Sequence, residues 1–304
     1  MKPVANQSSS RKAFTIVELL TVMSIIVILI GLLLPALNKV KRYATNVKQS
    51  AQFHAITTAL ELFSNEFEGY PDSGALDPVD QPYCGSMKLC EAIMGQDLIG
   101  VHTNTQFRAD GLDAGGTLLY PPNIDNLSPT VRDNNLKARK GPYLQAENAN
   151  AYRMEDIYGQ GNTGGFLPGT FVLCDVYGRQ TAAGQKTGMP ILYYKANTAY
   201  NFHDPNLPMT ARDNGGNIYN YLDNETLLAL GKPWQTGAGA TPHKLSASGP
   251  DGPDRFYMNT RSDKIVTTNR PVNPDKFILM SAGYDGEYGT ADDIYNFEWK
   301  YKDY

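Results

Sequence analysis

The chain has little cysteine, histidine or tryptophan: its 304 residues include 3, 4 and 2 of them. Three cysteines, Cys84, Cys90 and Cys174, cannot all pair with one another, so a multi-bridge disulfide framework is excluded. A single Cys84–Cys90 bridge and free thiols both stay open. The four histidines, His54, His102, His203 and His243, are scattered, and none falls in H-E-x-x-H or another metal spacing. No G-x-S-x-G elbow occurs either, since "LSASG" lacks the first glycine. Nothing here supports an enzyme. Lys and Arg number 27 against 31 Asp and Glu, for a net charge of −4, and they form no block beyond Lys48. That argues against a nucleic-acid surface.

Long apolar runs are scarce too, but one is present: "RKAFTIVELLTVMSIIVILIGLLLPALNKVKR". From Phe14 to Leu37 it reaches roughly 36 Å as a helix at about 1.5 Å per residue, enough to span hydrocarbon. It is too long for the apolar core of a secretory signal, and no A-x-A follows it. Within it stands Glu18, although a carboxylate at the centre of a membrane helix costs about 2.5–3.5 kcal/mol even on lenient scales. The run passes into a helical pattern of Val40, Ala44, Val47, Ala51, Ala55, Ala59, Phe63 and Phe67, ended by Gly69-Tyr70-Pro71. The pattern predicts one helix of about 50 residues, with 14–37 in lipid and the amphipathic stretch 38–69 packing on a domain. Pro35 is expected to bend it. The basic "NKVKRYATNVK" just beyond the span reads as juxtamembrane.

No further spanning run follows Tyr70, which leaves residues 70–304 as one exported globular domain. "SMKLCEAIMGQDLIGVH" reads as a short helix, and so do "SPTVRDNNLKA" and "NETLLALGK". Residues 103–170, rich in Asn, Gly, Asp and Pro, read as a loop-dominated insertion. "GTFVLCDVYG", "GMPILYYKAN" and "DKFILMSAG" read as strands. Tyr295, Phe297, Trp299 and Tyr301 alternate strictly in "IYNFEWKY", as one aromatic strand face. "GPDGPD" at 249–254 fits a cation-binding turn or, better, a solvated one. A long helix, an irregular middle and terminal strands make an α+β fold.

The segment "KAFTIVELLTVMSIIVILIGLLLPAL" resembles the processing and assembly segment of type IV prepilins and, most closely, of type II secretion pseudopilins. Two further stretches are similar to major pseudopilins: "FVLCDVYGRQ" with "PILYY", and "LMSAGYDGEYGTADDI". The resemblance implies a pilin-like fold, the helix packed across a small antiparallel C-terminal sheet of three or four strands. It implies a leader of residues 1–13, cut between Ala13 and Phe14 by a prepilin peptidase, with Phe14 then N-methylated. The family usually has glycine where Ala13 stands, and alanine, the smallest side-chain replacement, is expected to permit the cut more slowly. Glu18 would pair with the free N-terminal amine of a neighbouring subunit, which gives the buried charge its partner. The implied partners are other copies of the chain, minor pseudopilins, the peptidase, the inner-membrane assembly platform and the lipid bilayer. The implied place is the bacterial inner membrane, single-pass, with the C-terminal domain in the periplasm.

The loop of about 281–294 has its own question. Asp285, Asp292 and Asp293 lie among Gly283, Gly286 and Gly289, so carboxylates and main-chain carbonyls can face one point. Composition fits an ordinary Asp-Gly turn or a calcium loop; the resemblance to major pseudopilins implies calcium. Other readings of the whole chain are a type IV pilus subunit, or a tethered periplasmic binding or hydrolytic module using the prepilin segment only for delivery. The latter requires a pocket of convergent polar groups.

Overall fold

The computed structural model describes residues 15–235, 241–265 and 268–299. Ala13, Phe14 and Tyr301 lie outside the described residues, as does the leader. Helix α1 (Ile16–Phe67) runs 52 residues and is continuous through Pro35. It ends two residues before the expected glycine stop at Gly69. Glu68 takes the left-handed conformation, with φ of 60°, and Gly69 N–H bonds back to Ser64 O at 3.1 Å.

Two compact units divide within this helix, one ending at Ala44 and the other beginning at Thr45. In the first, the large apolar side chains from Ile16 to Leu37 are exposed. By length and composition this is one helix able to cross a membrane.

In the second unit α1 buries Gln49, Gln52, Phe53, Ile56, Ala59, Leu60 and Phe63. The expected stripe is therefore rotated: Val47 and Ala51 are exposed, and two glutamines are inside. A strict four-residue spacing drifts around a helix of 3.6 residues per turn, and the small alanines carried little weight against Phe53, Ile56 and Leu60.

The remaining helices are α2 (Gly85–Met94), α3 (Pro129–Lys137), α4 (Ala146–Ala149), α5 (Met154–Tyr158), α6 (Glu225–Ala229) and α7 (Gly252–Asn259). Three two-stranded antiparallel pairs precede the central sheet: β1 (Val101–His102) with β2 (Arg139–Lys140), β3 (Ala151–Arg153) with β4 (Phe171–Leu173), and β5 (Arg179–Gln180) with β6 (Lys186–Thr187). The central sheet is antiparallel, in the order β7 (Leu192–Lys195), β8 (Phe277–Ser281), β9 (Ile294–Tyr295).

Side-chain alternation splits the core into two layers. Tyr193, Phe277 and Leu279 join Ile56, Leu60 and Phe63 of α1. Leu192, Tyr194, Ile278 and Met280 join Met154 and Ile157 of α5 and Phe256 of α7 on the other face. The sheet is thus covered on both sides. All ten residues of α2 are buried, which includes Lys88 and Glu91. Lys88 Nζ reaches Asp72 at 2.6 Å and Leu76 O at 3.0 Å. Glu91 accepts from Tyr83 OH at 2.6 Å, from Gln96 Nε2 at 3.0 Å and from the Thr105 hydroxyl. Gly85 starts α2 against the sheet: a Cβ there would lie 2.3 Å from Tyr193 O, so no side chain fits.

The stretch 103–170 is mostly irregular, as expected, with α3 inside "SPTVRDNNLKA". It is tied in by β1–β2 and β3–β4, and α5 supplies core. Arg139 adds bonds to Asp97, Gly100 O at 2.9 Å and Leu119 O at 2.8 Å. The aromatic strand is only two residues long, yet Tyr295 still meets the rings of Phe297 at 4.9 Å and Trp299 at 5.1 Å. "GPDGPD" is not a solvated turn at its end, because Gly252-Pro253-Asp254 opens α7, whose Phe256 and Tyr257 are buried. Proline in a first helical turn was a legible start signal. The three cysteines are free and buried, so no Cys84–Cys90 bridge forms.

Candidate functional site

At the start of α1 Glu18 already has a partner within its own chain. Thr15 N–H and its hydroxyl donate to Glu18 Oε2 at 2.9 and 2.7 Å, and Glu18 N–H donates to Thr15 Oγ1 at 3.2 Å. This is a reciprocal capping box, which satisfies N–H groups that the first turn leaves unpaired. The T-x-x-E spacing is its signature in the sequence. Of the expected processing pair, Ala13 and Phe14, nothing is described.

The segment Asp175–Gly178 is where the globular unit grips its helix. Gln52 Nε2 donates to Cys174 O at 2.9 Å, Val176 N–H to Gln49 Oε1 at 3.0 Å, and Tyr177 OH to Asn46 Oδ1 at 2.6 Å. Asp175 folds the turn by accepting Tyr177 and Met189 N–H, both at 3.1 Å. Its other oxygen accepts Ser281 Oγ at 2.8 Å, and Ser281 Oγ accepts Gly283 N–H at 3.2 Å. Ser281 therefore joins the Asp175 turn to the C-terminal aspartate loop, 106 residues away. Sequence spacing gave no sign of that meeting.

Burial pushes the Asp175 carboxyl up to about 7, against the Ser281 and backbone donors that favour its charge. The folded state then holds a proton that the unfolded chain has lost between about pH 4 and 7. Stability should therefore fall as pH rises through that window and level off above it. Asp223 is likewise raised to about 7 by burial and acts in the same direction. Asp175→Asn keeps an acceptor for the two backbone N–H groups, and its amide can face Ser281. The variant should lose up to about 1.4 kcal/mol per pH unit of this slope and gain stability relative to wild type at pH 8. Denaturant titrations at pH 5 and 8 check it; an unchanged slope would refute the assignment.

The C-terminal loop brings Asp285, Asp292 and Asp293 into one turn. Asp285 N–H donates to Asp292 Oδ2, Glu287 N–H to Asp285 Oδ1, and Gly289 N–H to Asp293 Oδ2, each at 2.8 Å. Thr290 Oγ1 donates to Asp292 Oδ1, also at 2.8 Å. Gly283 makes the entry, with φ of 65° and room for no Cβ, which would lie 2.1 Å from Asp292 O. Asp293 is fully buried, and its Oδ1 has no hydrogen-bond partner. Burial, with the charges of Asp285 and Asp292 added, holds its carboxyl well above the usual range. Burial and Asp292 raise Asp285 as well. An orphaned carboxylate oxygen beside two like charges is the environment a cation would relieve. Among the described residues, however, no three His, Cys, Asp or Glu side chains form a preassembled metal cluster.

Sequence reasoning missed the clamp beside this loop. Glu287 accepts Lys232 Nζ at 2.6 Å and Lys244 N–H at 2.7 Å, and meets His243 Nδ1 at 3.1 Å. Nothing in the spacing of 232, 243 and 287 announces it.

Comparison with known proteins finds no matching family model, no matching curated protein and no matching solved structure.

Proposed function

We propose that the chain is a structural subunit of a type II secretion pseudopilus, processed by a prepilin peptidase and assembled through α1. The observation that carries this reading is one helix with two solvents. Its first part exposes an apolar surface from Ile16 to Leu37, with Glu18 in the first turn, and its second part is packed into a three-stranded α+β unit. An exposed apolar helix suits lipid and then the packed helices of a filament core. The Asn46, Gln49 and Gln52 contacts to 174–177 give the globular unit a fixed grip on that helix. The subunit resides in the bacterial inner membrane with residues beyond the span in the periplasm, and its partners are its own copies, minor pseudopilins and the assembly platform. Shearing cells that overproduce the chain should release filaments carrying it, visible by electron microscopy. A chain found only as membrane-bound monomer, with the assembly platform present, would count against the reading. The reading as a tethered binding module gains one observation of its own, a polar cavity in the globular unit.

Within the same reading, Asp285, Asp292 and Asp293 with neighbouring main-chain carbonyls would hold calcium. Calcium accepts six to eight oxygens in irregular geometry, and it would supply the partner that Asp293 Oδ1 lacks. Added calcium should raise unfolding stability on the order of 2–3 kcal/mol at 100-fold excess over Kd, with magnesium doing much less. Asp293→Asn should abolish the response. A melting curve indifferent to both calcium and chelator would exclude the site.

A further inference from the structure

A cavity of about 400 Å3 opens beside the C-terminal end of β7, far in sequence from the aspartate loop. Its wall comes from 72–74 and Leu76, from 195–198, from Ala211, Arg212 and Asn214, and from Asp223 in the 3-10 turn Tyr221–Asn224. The size lies within the roughly 300–1,000 Å3 of small-molecule sites. Among the described residues no aromatic ring lines it, and the apolar side chains in its wall are Leu76, Ala196 and Ala211.

The polar groups are held in place from behind. Asp223 is 5 % exposed, and what surface it keeps belongs to the cavity wall. Ser73 Oγ accepts Lys195 N–H at 2.9 Å, so its own proton is committed to Asp223 Oδ2, at 2.5 Å. Asp223 itself belongs to the cavity wall. Asp72 is fixed by buried Lys88 at 2.6 Å and by Gly74 N–H at 3.1 Å. Arg212 is oriented by Asp80, at 2.9 Å to Nε, and by Asp77 O, at 2.8 Å. The Lys88 ammonium holds the carboxyl of the exposed Asp72 below the ordinary value, whereas burial raises Asp223 to about 7.

This lining rejects most ligand classes. An anion would meet Asp72 and Asp223. A polycation would meet Lys195 and Arg212, with Lys88 behind. An apolar or peptide side chain would find no hydrophobic subsite and would strand buried polar groups, which is costly. Acceptors (Asp72, Asp223), donors (Lys195, Arg212) and groups that do both (Asn197, Thr198) stand close together, with both signs of charge present. That pattern matches a ligand dense in hydroxyls, since each hydroxyl both donates and accepts.

We propose that the cavity at Asp72, Ser73, Lys195, Arg212 and Asp223 binds a neutral polyhydroxylated ligand of one or two sugar rings. The site lies wholly in the unit beginning at Thr45 and does not depend on filament assembly.

The test uses the full chain in amine-oxide micelles, because glycoside detergents would themselves present sugar. Cellobiose, chitobiose and maltose are titrated by calorimetry, with trilysine and inorganic phosphate as charged probes. At least one disaccharide should bind saturably. Its affinity should drop roughly tenfold or more, the loss of one or two charge-assisted hydrogen bonds, in both Asp223→Asn and Lys195→Met. Exposed Asp110→Asn should leave it unchanged. Lys195→Met keeps the test usable if Asp223→Asn does not fold, and melting curves report that. Failure of all three disaccharides, or affinity unchanged in folded Lys195→Met, overturns the assignment. Binding of trilysine or phosphate in place of sugar overturns it too, in favour of a charged ligand.

Discussion

Glu18→Ala should abolish filament formation while the unit beginning at Thr45 stays folded and soluble. The carboxylate sits in the first turn of a helix whose neighbouring apolar side chains are exposed, so it contributes nothing to the buried core. An unpaired charge there is costly in lipid, and an opposite charge from a neighbouring subunit would offset that cost. The Thr15–Glu18 capping box complicates the alanine result, because losing a cap costs about 0.5–2 kcal/mol of local helix stability. Glu18→Gln separates the two roles. Glutamine serves in a capping box as glutamate does, but it carries no charge. If the charge pairs between subunits, the glutamine variant should also fail to assemble. Assembly retained in Glu18→Gln but lost in Glu18→Ala would assign Glu18 to capping alone. Normal assembly of both would remove it from the mechanism.

Leu279→Ala should destabilise the globular unit by about 2–5 kcal/mol, lowering Tm on the order of 10 °C. Leu279 is fully buried in β8, opposite Tyr193, and shares a cluster with Ile56, Leu60 and Phe63 of α1. Its backbone is bracketed by Asn296, through bonds of 3.0 and 3.2 Å, so the strand stays while the side chain leaves a cavity between helix and sheet. Leu136→Ala, on exposed α3, should change stability by no more than about 0.5 kcal/mol. Equal melting of the two variants would contradict the helix-on-sheet core.

How far the fold was legible depended on the strength of the local signal. The α1 helix, α2 and the cores of β4, β7 and β8 were readable because apolar patterning and glycine or proline stops agreed. The buried face of α1 was misplaced because Gln49 and Gln52 are inside for a tertiary reason, their bonds to 174–176. The same holds for Lys88 and Glu91, whose partners arrive from distant loops. The aspartate loop was visible as a string of acids and glycines, whereas its link to Asp175 through Ser281 and its clamp at Glu287 exist only in three dimensions. The cavity at Asp223 was invisible for that reason as well.

The most direct measurement of the central claim is the mass of the N-terminal peptide of the chain purified from its native host. The account predicts a peptide beginning at Phe14 and heavier by one methyl group, the product of a precursor cut after Ala13 and made ready for assembly. An unmodified peptide beginning at Met1 in the mature, membrane-inserted protein would contradict it.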